Sequence, residues 1–177
     1  MLKVSLPRKV KFICAFIYSK EETYNSVCTI MSSKFGAVDY QSPPIKFNFT
    51  QYYNEEMGLK LTRRFISFSR LRDITEFVSI KLYSIRLERK FAVNSKREIN
   101  IDPGYINEAK LVLTTTKDFS HRIYLKKGIY AEVTLRYVNS GFQELPTTFP
   151  DYKTETYKEV FLDIRKIYKE QIKNNLL

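Results

Sequence analysis

Apolar side chains dominate positions 10–18, where β-branched and aromatic residues predict a strand buried on both faces. Ser19 and Glu22 have the spacing of a capping box, and Tyr24, Val27, Cys28, Met31 and Phe35 then recur on one helical face that closes at Gly36. Pro43 and Pro44 break the chain. After them Ile45, Phe47 and Phe49 alternate with Lys46 and Asn48, the pattern of a half-buried strand, and positions 50–58 are polar and turn-like. A strand is expected over 59–68, with Arg63 and Arg64 on opposite faces. Asp73 and Glu76 open a second helix to about position 92, which presents Ile74, Phe77, Val78, Leu82 and Ile85. A short strand follows at 98–101.

Positions 108–116 suit either a buried helix or a strand, and a short helix is preferred. Strands at 121–125 and 129–137 form a hairpin around the three-residue loop Lys126, Lys127 and Gly128. Positions 142–151, with Pro146 and Pro150, read as a linker. Thr156 and Glu159 cap a final helix whose stripe of Tyr157, Val160, Phe161, Ile164, Ile167, Tyr168 and Ile172 must dock on something. The order βαββαβ predicts an α+β protein with a ferredoxin-like core, in which helices cover one face of an antiparallel sheet, followed by a C-terminal β-hairpin and a terminal amphipathic helix. A single domain over 1–177 is expected, with its core at about 8–105, the hairpin extension at about 106–145 and the helix at about 154–173.

Composition narrows the chemistry. The glycines at 36, 58, 104, 128 and 141 are too far apart for a phosphate-binding loop or a dinucleotide fingerprint. His121 is the sole histidine and Cys14 and Cys28 the sole cysteines, so no zinc site and no metal are expected. The apolar run at 12–18 is too short to span a membrane, which predicts a cytoplasmic protein with no membrane partner. Thirty basic against 19 acidic residues give a net charge of +11, spread through every segment, the pattern of solvated surface rather than a nucleic-acid footprint.

Loop length sets hairpin register. A three-residue loop pairs Leu125 with Ile129, Ile123 with Ala131 and His121 with Val133 on one apolar face. The other face then carries Tyr124 with Tyr130, Arg122 with Glu132, Ser120 near Thr134 and Asp118 near Arg136. In this register His121 faces the core, whereas a two-residue loop would bring it to the side of Glu132 and Thr134. Lys117, Asp118, His121 and Arg122 lie within six residues, a grouping that suits work on an anion: cations to hold charge and a group to move a proton. Asp102, Pro103 and Gly104 have the chemistry of a turn, which would expose the Asp102 carboxylate at a sheet end.

The segments Asn100-Ile-Asp-Pro-Gly-Tyr105, Thr115-Thr-Lys-Asp-Phe-Ser-His-Arg-Ile-Tyr-Leu125 and Gly128-Ile-Tyr-Ala-Glu-Val-Thr-Leu-Arg136 resemble those of an uncharacterised prokaryotic family, domain of unknown function 4416. The resemblance extends to Pro44 to Phe49, Tyr53 with Met57 and Gly58, and Pro150-Asp-Tyr152. It implies no established activity or cofactor. Members are sometimes labelled GTP-binding, a label for which this chain has no glycine-rich loop. What it adds is a location around Asp102, Lys117, Asp118, His121, Arg122, Glu132, Thr134 and Arg136.

The leading expectation is a small anionic ligand, such as a nucleotide or another phosphate ester, bound or transformed there. Lys117, Arg122 and Arg136 would hold its charge, Asp102 and Glu132 would position hydroxyls or a divalent ion, and Asp118 and Thr134 would complete the binding set. His121 would be the proton carrier, with Asp102 beside it as the other catalytic candidate. Two alternatives come from other classes: RNA stacked on Tyr124, Tyr130 and Tyr137 of an open sheet face, or an interaction module docked through an apolar patch or the terminal helix.

Overall fold

A computed structural model describes residues 4–174. Its centre is β1 (Lys11–Tyr18), whose eight residues are all buried. A strand buried on both faces needs two covering layers, and it has them. Phe12, Cys14, Phe16 and Tyr18 pack beneath helices α1 (Glu21–Phe35) and α3 (Phe77–Lys90), while Ile13 and Ala15 pack beneath α4 (Glu155–Asn174) on the other side. The apolar stripe of the last helix thus docks on the face that α1 and α3 leave open.

The sheet between these layers has nine strands: β2 (Val38–Gln41), β3 (Ile45–Phe47), β4 (Leu61–Phe68), β5 (Ile99–Ile106), β6 (Lys110–Thr115), β7 (Ile123–Lys126), β8 (Ile129–Val138) and β9 (Gly141–Glu144), together with β1. Its order is β2-β4-β1-β5-β6-β8-β7, with β3 also on β4 and β9 also on β8, and every pairing is antiparallel. The protein is therefore of α+β class. A short helix, α2 (Asn54–Met57), interrupts the polar segment before β4.

Several sequence expectations hold in detail. Asp73 and Glu76 form a reciprocal capping box, and Gly36 ends α1 at φ 106° with its amide bonded to the Ser32 carbonyl. Others need correction. The Ser19 and Glu22 box does not form, because α1 starts after Lys20 and Glu21 is held by the Tyr18 hydroxyl and Arg64. The last helix is capped by Thr154, whose Oγ1 accepts from the Tyr157 amide at 3.4 Å, two residues before the expected Thr156. The expected helix at 108–116 is strand β6: the Asn107 carboxamide accepts from the amides of Ala109 and Lys110, reversing the chain, and the Thr-rich run then pairs with β8. The segment read as a linker contains β9 and a 3-10 turn, Pro150–Lys153.

Two corrections shape the functional surface. Asp102, Pro103 and Gly104 are not a turn; they lie inside β5. Gly104 is needed there for space, since a Cβ would sit 2.3 Å from the Val112 carbonyl oxygen. Pro103, with no N–H, cannot donate to β6, and the β5–β6 ladder runs only from Gly104 to Ile106. From Ile99 to Pro103 no ladder joins β5 to β6, which ends at Thr115, and only the Thr114 hydroxyl still reaches the Pro103 carbonyl. The hairpin also differs: its turn is the two residues Lys127 and Gly128, at φ 54° and 74°, which suits the right-handed twist of its strands, and a bulge absorbs Leu125. Ile123 still pairs with Ala131 and Tyr124 with Tyr130, but the buried side is the polar one, with Glu132 only 4% exposed and Ile123 70% exposed.

Gly104→Ala is expected to cost about 1–3 kcal/mol by forcing β6 away from β5, whereas Gly141→Ala, whose added Cβ meets nothing within 4 Å, should be near neutral. Urea unfolding of both variants checks this contrast, and equal costs would refute the close-approach account.

Candidate functional site

A cleft of about 650 Å³ opens where the ladder between β5 and β6 ends. Its floor begins with a problem of backbone chemistry: β5 has an unpaired edge at Ile101, and buried N–H and C=O groups must find partners. Helix α3 supplies them. Glu88 accepts from the Ile101 amide at 2.7 Å, and Lys81 donates to the Ile101 carbonyl at 3.0 Å. This explains why α3 buries Ile80, Lys81, Ser84, Leu87 and Glu88 rather than the expected stripe through Val78, Leu82 and Ile85, which is only half-buried.

Alternation along β5 sends Asn100 and Asp102 to the cleft side. Asp102 accepts from Asn100 Nδ2 at 2.7 Å and from Lys81 Nζ at 3.3 Å. Asn100 in turn accepts from Arg97, which grips both carboxylate oxygens of Glu56 on α2 at 2.7 to 3.0 Å. Burial pushes the Glu88 carboxyl up, against the pull of Lys81, while the Arg97 hydrogen bonds hold Glu56 below the usual carboxylate range.

A second wall comes from β4. Arg63 is buried with Asp151 at 2.8 Å, and its guanidinium lies over the Phe47 ring at 4.9 Å and beside those of Phe65 and Tyr152 at 5.6 Å. Only Nη2 is paired. Nε and Nη1 have no hydrogen-bond partner among the described residues, although the side chain is 4% exposed and lines the cleft. Burial pushes the Asp151 carboxyl upward while Arg63 opposes the shift.

The third wall is the hairpin. Arg122, 3% exposed, donates through Nε to Glu132 at 2.6 Å and through Nη1 to the Lys117 carbonyl at 3.0 Å, between the rings of Phe119 and Phe149. Lys117 lies over Tyr52 at 4.5 Å and has no carboxylate partner among the described residues.

The structure thus brings Asp102, Lys117, Arg122 and Glu132 to one cleft. His121 stands behind it: the ring contacts Glu132 at 3.2 Å instead of facing the core, because strand pairing stops at Ile123 and the chain turns from Phe119 to Arg122. Asp118 is exposed and does not line the cleft. Thr134 is buried but does not line the cleft. Arg136 is excluded by a bulge between Val133 and Leu135, which turns it outward opposite Lys110, so the expected pairing of Asp118 with Arg136 does not exist. Tyr137 lies beneath Arg165 at 3.3 Å, away from any platform shared with Tyr124 and Tyr130.

Sequence reasoning missed Arg63, Lys81, Glu88, Arg97, Asn100 and Asp151. The available signals were the polar alternation Asn100, Asp102 and two charged residues on the helical face that α3 buries. Among the described residues no three His, Cys, Asp or Glu side chains come together as a metal centre, and no helix is long and apolar enough to cross a membrane.

Residues 8–168 match the family model described as Domain of unknown function (DUF4416), and the chain belongs to that family. No curated protein and no solved structure matches it.

The Arg97 bond to Glu56 contributes stability that is complete above the unfolded carboxyl value near 4.5 and is lost as pH falls through the lowered folded value. Glu56→Gln is therefore expected to lower stability by about 1 kcal/mol at pH 7 and by much less near pH 3. Urea melts at both pH values test this, and an equal loss at the two would assign the contribution to packing instead of charge.

Proposed function

We propose that the cleft binds a small anionic ligand of the nucleotide or phosphate-ester kind. The observation that carries this reading is Arg63, a buried cation of the cleft lining whose enclosed Nε and Nη1 have no hydrogen-bond partner among the described residues. Unsatisfied buried donors are costly, and an anion in the cleft beside this guanidinium would offset that cost through its charge. Lys117 and Arg122 add positive charge, of which Lys117 is free to meet a ligand. Asp102 keeps acceptor capacity beyond its bonds to Asn100 and Lys81 and is suited to a ligand hydroxyl. Glu132 is occupied by Arg122 and His121, so its role is to position Arg122, and Asp102 replaces His121 as the group placed to take a proton.

Two structural inferences accompany the reading. The strand order β2-β4-β1-β5 with α1 and α3 on one face supports a ferredoxin-like βαββαβ core, to which β6 to β9 add the second wall of the cleft. A cytoplasmic setting, with Cys14 and Cys28 as free thiols, belongs to the same reading.

Thermal melting across a panel of nucleotides and sugar phosphates tests the proposal. A ligand at a hundred times its Kd stabilises by about 2.7 kcal/mol, which for a chain of this size is roughly 5–10 °C. Lys117→Ala should reduce that shift without lowering the melting temperature of the unliganded protein. A flat response to every member of the panel would remove the proposal.

A further inference from the structure

Charge and aromatic placement inside the cleft specify the ligand more closely. The lining cations Arg63, Lys81, Arg97, Lys117 and Arg122 meet the carboxylates Glu88, Asp102, Glu132 and Asp151, and Glu56 behind Arg97 brings the balance to neutral. A chain of phosphates would leave several unmatched negative charges in a partly desolvated space, whereas one anionic group can be met by the charge of Arg63 on the cleft lining. The aromatic side chains divide by depth. Phe47 and Tyr152 are buried around Arg63, while Phe49, Tyr52, Phe119 and Phe149 are 41–60% exposed where they line the cleft. These last four come from three separate loops. Large apolar rings held at the edge of a polar cleft offer stacking surfaces, and stacking on aromatics selects a flat partner.

Resting on the anionic-ligand reading above, we propose that the cleft takes a ligand consisting of one planar ring joined to one anionic group, with the anion inward against Arg63 and the ring outward among Phe49, Tyr52, Phe119 and Phe149. The cleft volume of about 650 Å³ suits a molecule of that size. A nucleoside monophosphate and an aromatic carboxylate share this chemistry, and binding experiments separate them.

Calorimetric titration of the full chain with a nucleoside 5′-monophosphate, its parent nucleoside, ribose 5-phosphate, the nucleoside triphosphate and an aromatic monocarboxylate gives the test. The ring-plus-anion probe, either the monophosphate or the carboxylate, should bind at least about tenfold more tightly than the nucleoside or the sugar phosphate, and the triphosphate should gain nothing over the monophosphate. Tyr52→Ala and Phe149→Ala, at exposed positions, should each weaken that binding about tenfold while leaving the fold intact. Arg63→Lys, which keeps a cation beside Asp151, should abolish it; if that variant fails to fold, the two aromatic variants still decide. Equal binding of ribose 5-phosphate, with no effect of the aromatic substitutions, would overturn the ring while leaving the anionic-ligand reading in place. A triphosphate that binds tenfold more tightly than the monophosphate would overturn the single charge. Silence from all five probes would overturn both.

Discussion

The candidate site exists because one strand cannot complete its hydrogen bonding. At Pro103 the ladder between β5 and β6 loses its donor, and from there back to Ile99 no neighbouring strand takes up the free edge. In an unbroken sheet, side chains from β5 and β6 would fill the space over the joint. Here the gap draws in Lys81 and Glu88 to hold the Ile101 backbone, and Thr114 Oγ1 to hold the Pro103 carbonyl. Polar side chains are thereby committed to the interior by the backbone itself. Gly104, pressed against β6, is where strand pairing resumes.

Once Lys81 and Glu88 are buried, the remaining charges follow as partners. An isolated ion in such a place would be neutralised or excluded, so each is met by another. Asp102 answers Lys81, Arg97 ties Asn100 to Glu56 and approaches Glu88 at 3.7 Å, and Arg122 answers Glu132. Aromatic rings fill the volume between these pairs because their faces accept a cation and exclude water together. Polarity is therefore concentrated in the region where the β5–β6 ladder ends.

How much of this is legible in the chain depends on the range of the interaction. The capping box of Asp73 and Glu76, the end of α1 at Gly36, and the buried run of β1 are written within a few residues and can be read directly. The two opposed faces of Arg63 and Arg64 follow from strand parity, and indeed Arg63 joins the cleft while Arg64 lies over Tyr24 in the helical layer. Asp-Pro-Gly misleads because the same residues that make a turn can also end a ladder, and the choice rests on β1 and β6, which are distant in sequence. The hairpin misleads for a related reason. Apolar alternation predicts burial of Ile123 and Leu125, but no helix covers that side of β7, while the cleft lies on the other. Lys117, Arg122, Glu132 and Asp102 could be found from their grouping, whereas Arg63, Arg97 and Asp151 come from separate parts of the chain.

A comparison within the molecule separates scaffold from site. Lys11 on β1 is as deeply buried as Arg63, and burial pulls its pKa down, yet its ammonium is held by Asp39 of β2 and by Gln171 of α4 at 2.9 Å. That cation links three elements and its nitrogen has partners, which is what a structural role requires. Arg64 and Arg72 each have one enclosed nitrogen, Nε, without a partner among the described residues, and both lie outside the cleft lining. Arg63 differs in having two enclosed nitrogens without a partner among the described residues and in lining the cleft. Replacing a buried ion pair by apolar residues of similar volume is commonly neutral or stabilising, so packing alone does not call for Arg63 and Asp151 in this wall. Arg63 is thus a cation whose pairing with Asp151 leaves two enclosed nitrogens without a partner among the described residues, where Lys11 leaves none.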